Sequence, residues 1–324
     1  MKSLSRVGIL FILGLAIGLF YKCKDHSTPR LGHLPILKDN PINPEIAALG
    51  KKLFFDKRLS VDNSIACVNC HMPKMAFTDG KKLSNGVHGK FSMRNAPTLF
   101  NVVYQKTLMA DGQVPSLEMQ ALVPLRDTLE MGNDMKTLIS KLKSIDYYNK
   151  ASQKLFKRDF DAFVLTQSLA NFQRTLISDN SPFDRYYFDH EENAISQQAK
   201  DGWKIFSEEL YCTKCHTPPL FTNLKVENNG LYKDYSTIAD KGRFRINGDS
   251  TEIGSFKVPT LRNISLTAPY MHDGSFQSIN QVLEFYSKGG NKHKNQNSVI
   301  QPFDLNQYKK NALLEFLNSL EEIN

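Results

Sequence analysis

Apolar residues recur at helical spacing over four stretches, Glu45 to Phe55, Phe160 to Leu176, Ser196 to Leu210 and Asn306 to Leu320, whereas strand-like alternation is short and rare. A mainly α fold is therefore predicted. In the last stretch Tyr308, Ala312, Leu313, Phe316, Leu317 and Leu320 fall along one face, the pattern of an amphipathic closing helix. A further helix is marked by a capping box of Ser278 and Gln281 and by a stop at Gly289-Gly290. Its Ile279, Val282, Leu283 and Tyr286 share one face, so the tyrosine is expected to point inward. Glycine, asparagine and lysine crowd Val226 to Ser255, which reads as a long loop-like insertion. The apolar pattern breaks between His190 and Ser196, with Ser196 placed as an N-cap, and a junction between two halves is predicted there.

At the N-terminus a basic lead, Lys2 and Arg6, precedes an apolar run from Val7 to Phe20. Residues 1–22 read as an export signal or an uncleaved anchor. The run is shorter than the roughly 18 apolar residues that usually span a bilayer. Cys23 follows Phe20, Tyr21 and Lys22 rather than small residues, which argues against a lipid anchor. Length and composition, 324 residues at 41% hydrophobic, suit two domains. The net charge of +8 is carried by scattered lysines, so a solvated basic surface is expected and no nucleic-acid partner.

The chemistry lies in two copies of Cys-x-x-Cys-His, Cys67-Val68-Asn69-Cys70-His71 and Cys212-Thr213-Lys214-Cys215-His216, which use four of the five cysteines. Each reads as a c-type haem site, with both thiols forming thioethers to the porphyrin and the histidine reaching the iron. Zinc is the rival reading, but zinc ribbons set their paired cysteines roughly 15 to 20 residues apart, far closer than these two motifs. A second block repeats as well. Pro97-Thr98-Leu99 precedes Met109-Ala110-Asp111-Gly112, and Pro259-Thr260-Leu261 precedes Met271-His272-Asp273-Gly274, with the aspartate 14 residues after the proline in both. Gly50 and Gly202 open similar helical stretches before each motif. Two cytochrome c-like haem domains related by internal duplication are predicted, at 40–190 and 195–324.

Differences between the copies point to a division of labour. Thirteen residues after the aspartate stands Pro124 in one half and Tyr286 in the other. Proline cannot coordinate iron and a tyrosine oxygen can, although a core tyrosine bonded to a carbonyl is the plainer alternative. Met271, the one methionine after the second motif, is the competing ligand. His88-Gly89 follows His71 by 17 residues on a glycine-rich loop, where the histidine could cap the first iron and leave it, or simply face solvent. Gln120, Pro124 and Glu130 come next. A carboxylate near an open haem face could move a proton between peroxide oxygens, while on the plainer view Glu130 begins a solvated turn.

These residues together resemble the bacterial di-haem cytochrome c peroxidases and the related MauG proteins, from about Asn43 to the C-terminus. The matching motifs are the two haem sites, His88-Gly89, Asn95-Ala96-Pro97-Thr98, Asp111-Gly112, Gln120, Pro124, Glu130-Met131, Val258 to Asn263 and His272-Asp273-Gly274. The resemblance implies two covalent haems c, with His71 the proximal and His88 the displaceable ligand of a peroxidatic haem. Gln120 and Glu130 would line its pocket, with Glu130 the acid-base catalyst, and His216 would hold an electron-transfer haem. It also implies a calcium ion on the Asn95 side chain and the Thr267 and Pro269 carbonyls. Most peroxidases of the family have methionine where Tyr286 falls, and MauG has tyrosine. The family's inter-haem tryptophan is Ala110 here, whereas His88, absent from MauG, matches the peroxidases.

The expected function is periplasmic reduction of hydrogen peroxide with electrons from a small cytochrome c or cupredoxin. A MauG-like oxidase acting on a protein residue and a non-catalytic di-haem electron carrier are the alternatives. Membrane anchoring by the N-terminus and a homodimer are left open.

Overall fold

The computed structural model describes residues 30–35 and 38–322, so the segment read as an export signal or anchor and Cys23 lie outside the described residues. Helices dominate. In chain order they are α1 (Pro44–Phe54), α2 (Leu117–Arg126), α3 (Met135–Lys143), α4 (Asp146–Phe156), α5 (Ala162–Arg174) and α6 (Pro182–Tyr187). Then follow α7 (Gln197–Lys204), α8 (Phe244–Asn247), α9 (Ile279–Ser287) and α10 (Gln307–Asn318). Among the described residues the one sheet is a two-stranded antiparallel ribbon, β1 (Val226–Glu227) and β2 (Phe256–Lys257), with Val226 opposite Lys257.

All four helices expected from apolar spacing form. Asn43 accepts from the Glu45 and Ile46 amides to start α1, and Ser196 accepts from Ala199 to start α7. The expected capping box is present too, with Ser278 bonded to the Gln281 amide at the start of α9. α7 runs on into a π turn, Ile205–Glu209, which delivers the chain to the second cysteine motif. One expectation fails. Tyr308 is 57% exposed and donates to Asp201 at 2.7 Å instead of joining the apolar face of α10. Its ring can do both jobs of an amphipathic side chain, and at the first turn of the helix the polar one wins.

Among the described residues two apolar cores form. The first gathers Leu53, Phe54, Leu138, Leu142, Val164 and Leu169; the second gathers Phe206, Phe221, Leu313, Phe316, Leu317 and Leu320. Phe183 of α6, although inside 40–190, packs in the second core. The segment from Ser181 onward therefore sides with the C-terminal half, and the helical break around His190 comes after it. Among the described residues no helix is long and apolar enough to cross a membrane.

Local geometry recurs in both halves. α1 crosses α5 so closely that a Cβ on Gly50 would lie 1.9 Å from the Ser168 carbonyl oxygen, and α7 crosses α10 with Gly202 at the same 1.9 Å from the Ala312 carbonyl. Asn101 and Asn263 both adopt positive φ, +61° and +58°, as do Met109 and Met271, +65° and +74°. The loops after them close with matching bridges, Leu108 to Val114 and Tyr270 to Phe276.

Residues 226–255 are mostly loop, as expected, but the insertion is anchored. Arg243 donates to the Asp111 and Gly112 carbonyls at 3.1 and 2.7 Å. Arg94 of the first half grips Asp240 through two bonds, 2.6 and 2.9 Å, and also reaches Asp111 at 2.8 Å. The insertion thus straps the loop that carries Asp111-Gly112.

Candidate haem sites

Each cysteine motif coils into a short 3-10 turn, Cys67–Asn69 and Cys212–Lys214, that puts the following histidine under a buried loop. His71 Nδ1 lies 2.9 Å from the Phe77 carbonyl, and His216 Nδ1 lies 3.1 Å from the Phe221 carbonyl. Such a partner fixes Nδ1 as the protonated nitrogen and leaves Nε2 as a neutral donor. Desolvation lowers both imidazole pKa values, favouring that neutral form. The loops are held in the same way: Thr98 donates to the Ala76 carbonyl at 2.6 Å, and Thr260 to the Leu220 carbonyl at 2.7 Å.

The four cysteines are free, and burial pushes Cys67 and Cys212 up to about 12 and Cys70 up to about 11. Paired thiols beside an oriented imidazole fit covalent haem. Among the described residues no group of three or more histidine, cysteine or acidic side chains is placed to hold a metal ion.

Around the first motif, α2 ends at Asp127 and a tight turn follows, with the Leu129 amide on the Asp127 carboxylate at 2.8 Å and the Glu130 amide on the Asp127 carbonyl at 3.0 Å. Glu130 is half-buried. Desolvation, with Asp127 adding to it, pushes its carboxyl up to about 7, and its charge is felt by both Cys67 and Cys70. Gln120, one turn before Pro124 on α2, has its amide nitrogen 3.9 Å from Met109 Sδ. The glycine-rich loop docks on this turn. The Val87 amide bonds the Glu130 carbonyl at 2.9 Å, and a Cβ on Gly86 would come within 1.7 Å of the Leu129 carbonyl oxygen. His88 itself, at φ +56°, is largely exposed and has Nδ1 3.7 Å from the Asp62 carboxylate.

Around the second motif the two candidate ligands converge on one side chain. The Asn229 amide nitrogen lies 3.3 Å from Met271 Sδ and 3.4 Å from the Tyr286 hydroxyl. Burial pushes the Tyr286 phenol up to about 12, with Cys215 and Cys212 among the groups acting on it. The tyrosine points inward, as its helical face predicts. Asn229 was not singled out from sequence, and nothing but its place in a polar insertion marks it.

Asn95 donates its side-chain amide to the Lys81 carbonyl at 2.8 Å and its main-chain amide to the His272 carbonyl at 2.9 Å. It therefore ties the first half to the loop containing Thr267 and Pro269, and its amide oxygen is the donor left for a cation. At the Ala110 position the Lys257 amide bonds the Ala110 carbonyl at 2.7 Å. Phe256 beside it stacks on His272, ring centroids 3.7 Å apart.

The di-haem cytochrome c peroxidase family model matches residues 44–193. The methylamine utilization protein MauG of Methylophilus methylotrophus is 34% identical over 293 residues, 89% of this chain and 86% of that protein. The cytochrome-c peroxidase IdrP1 of Pseudomonas sp. (strain SCT) is 32% identical over 320 residues, 89% of this chain and 83% of that protein. Among solved structures, a MauG-like protein associated with microbial copper homeostasis superposes with a TM-score of 0.85 at 29% identity, covering 92% of this chain and 95% of that one. With matches of this extent behind two oriented histidines and four free thiols, the chain belongs to the di-haem cytochrome c peroxidase and MauG family, whose members carry two haems c.

Proposed function

We propose that the protein is a periplasmic di-haem c-type peroxidase reducing hydrogen peroxide to water with electrons from a small cytochrome c or cupredoxin. Residues 40–190, apart from the segment from Ser181 onward that packs in the second core, would form the peroxidatic haem domain and 195–324 the electron-transfer haem domain, the two descending from an internal duplication. The paired glycine crossings, positive-φ residues and bridges support that descent. When bound, the haems supply iron centres that bind peroxide at the first site and exchange electrons at both.

His71 and His216 would hold the irons through Nε2. The observation that carries the reading is Glu130, whose carboxyl is pushed up to about 7 beside Cys67 and Cys70. Near neutral pH such a group is populated in both forms, so it can take a proton from one peroxide oxygen and return it to the other, turning a poor leaving group into water. The Gln120 amide would orient the peroxide. His88 would cap the first iron when its loop closes, and a calcium ion on Asn95, Thr267 and Pro269 would bind where the halves meet. With reduced cytochrome c supplied, the purified di-haem protein should oxidise the donor as peroxide is consumed; peroxide binding without donor oxidation overturns the proposal.

A second reading, a MauG-like oxidase of a protein residue, is favoured by the position of Tyr286. A phenolate would favour ferric iron and lower the potential of the second haem, whereas the Met271 thioether would do the opposite. Ferric spectra of Tyr286→Phe and Met271→Leu separate the two. Loss of the low-spin signature in the tyrosine variant alone supports the oxidase, and loss in the methionine variant alone supports the peroxidase.

A further inference from the structure

Among the described residues, three arginines at the seam between the halves have carboxylates within reach. Arg94 is neutralised by Asp240 and Asp111, and Arg245 also reaches Asp240, at 3.4 Å. Arg243 spends a nitrogen on two carbonyls and stands 3.6 Å from Glu252. Lys257 differs. Its ammonium donates to the Thr107 carbonyl at 2.5 Å, and among the described residues no carboxylate pairs with it. Burial pushes this ammonium down to about 8 with no charged group opposing the shift. A desolvated cation without an anion is costly, and folded proteins pair such groups.

The position says which anion is at hand. On one side the Lys257 amide bonds Ala110 and its ammonium bonds Thr107, both in the first-half loop that also carries Met109, the neighbour of Gln120. On the other side the next residue, Val258, accepts from Thr222 at 2.6 Å, in the loop whose Phe221 carbonyl orients His216. Lys257 therefore stands between the surroundings of the two haem sites. Of the substituents on a c-type haem only the propionates are charged.

We infer that Lys257 is the counter-ion of a haem propionate at the seam between the halves, a positioning residue that sets the potential of the haem it touches. The inference rests on the two-haem reading of the chain. A cation close to the porphyrin disfavours the ferric state, so its removal lowers the potential.

The test is spectroelectrochemical titration and resonance Raman spectroscopy of holoprotein whose mass shows two attached haems. Lys257→Met should lower the midpoint potential of one haem, leave the other near its wild-type value and shift one propionate bending band. Lys257→Arg should keep both potentials while still shifting that band, because a guanidinium bonds a carboxylate differently from an ammonium. Unchanged potentials and an unchanged band in loaded Lys257→Met overturn the inference. Should that variant fail to take up haem, Lys257→Arg decides, and a propionate band identical to wild type overturns it. A wild-type protein with the bare apoprotein mass overturns the two-haem reading itself, a different failure.

Discussion

Peroxide turnover should fall by about two to four orders of magnitude in Glu130→Gln, the range that a positioned acid-base group contributes, with both haems still attached. Glutamine keeps the shape and a hydrogen-bonding oxygen but cannot shuttle a proton, so the loss should appear in kcat rather than in peroxide binding. The same variant should be more stable than wild type above neutral pH. Folding raises the Glu130 carboxyl to about 7, above its unfolded value of about 4.3. Between those values the folded state holds more protons than the unfolded state, so stability falls as pH rises through the window, and the whole loss is present above it. Glutamine does not ionise and escapes that loss. A thermal midpoint at pH 8 that rises while turnover collapses is the expected pair of results. Full turnover in the variant would remove Glu130 from the mechanism.

Arg262→Met should cost about 3–5 kcal/mol of stability, measured by denaturant unfolding, because it strands a carboxylate in the interior. Arg262 and Asp184 have no side-chain exposure, and the guanidinium meets the carboxylate through two bonds of 2.8 and 2.7 Å. Arg262 Nε also donates to the Pro219 carbonyl at 2.8 Å, and the Ser181 amide and hydroxyl both donate to Asp184 at 2.8 Å. Replacing both members, as Asp184→Leu with Arg262→Met, should cost less than the arginine change alone, since no charge is then left buried. Burial alone would raise the Asp184 pKa, but Arg262 and Ser181 hold it below the ordinary carboxylate range. Its contribution is therefore present above the unfolded pKa and is lost as pH falls through the lower folded value. Equal losses in the single and double variants would show that the pair is merely packed.

What was legible in the sequence is what depends on neighbours along the chain. Caps such as Ser196 and Ser278 bond amides within a turn, and the cysteine motifs place their histidines within one loop, so spacing alone locates them. Glu130 and Gln120 were visible as residue types. The desolvation that raises the Glu130 pKa comes from packing that no local pattern encodes. Partners chosen across the fold stayed hidden. Arg262 finds Asp184, Arg94 finds Asp240, and Asn229 meets both Met271 and Tyr286 only because distant segments are brought together. Phe183 shows the same limit, since an apolar residue at a junction carries no sign of which core it will join. Tyr308 shows another: at a helix entrance a ring with a polar tip satisfies an apolar template without being buried.

The two glycine crossings imply that two helix contacts outside the cysteine motifs are nearly as hard to substitute as Gly86 beside Glu130. At Gly50 and Gly202 the obstacle to a methyl group is a carbonyl of the facing helix, which no rotamer change can move aside. Sequence drift there cannot be absorbed by shrinking a neighbouring side chain, so engineers seeking a sturdier scaffold gain nothing from the usual glycine-to-alanine exchange at either helix.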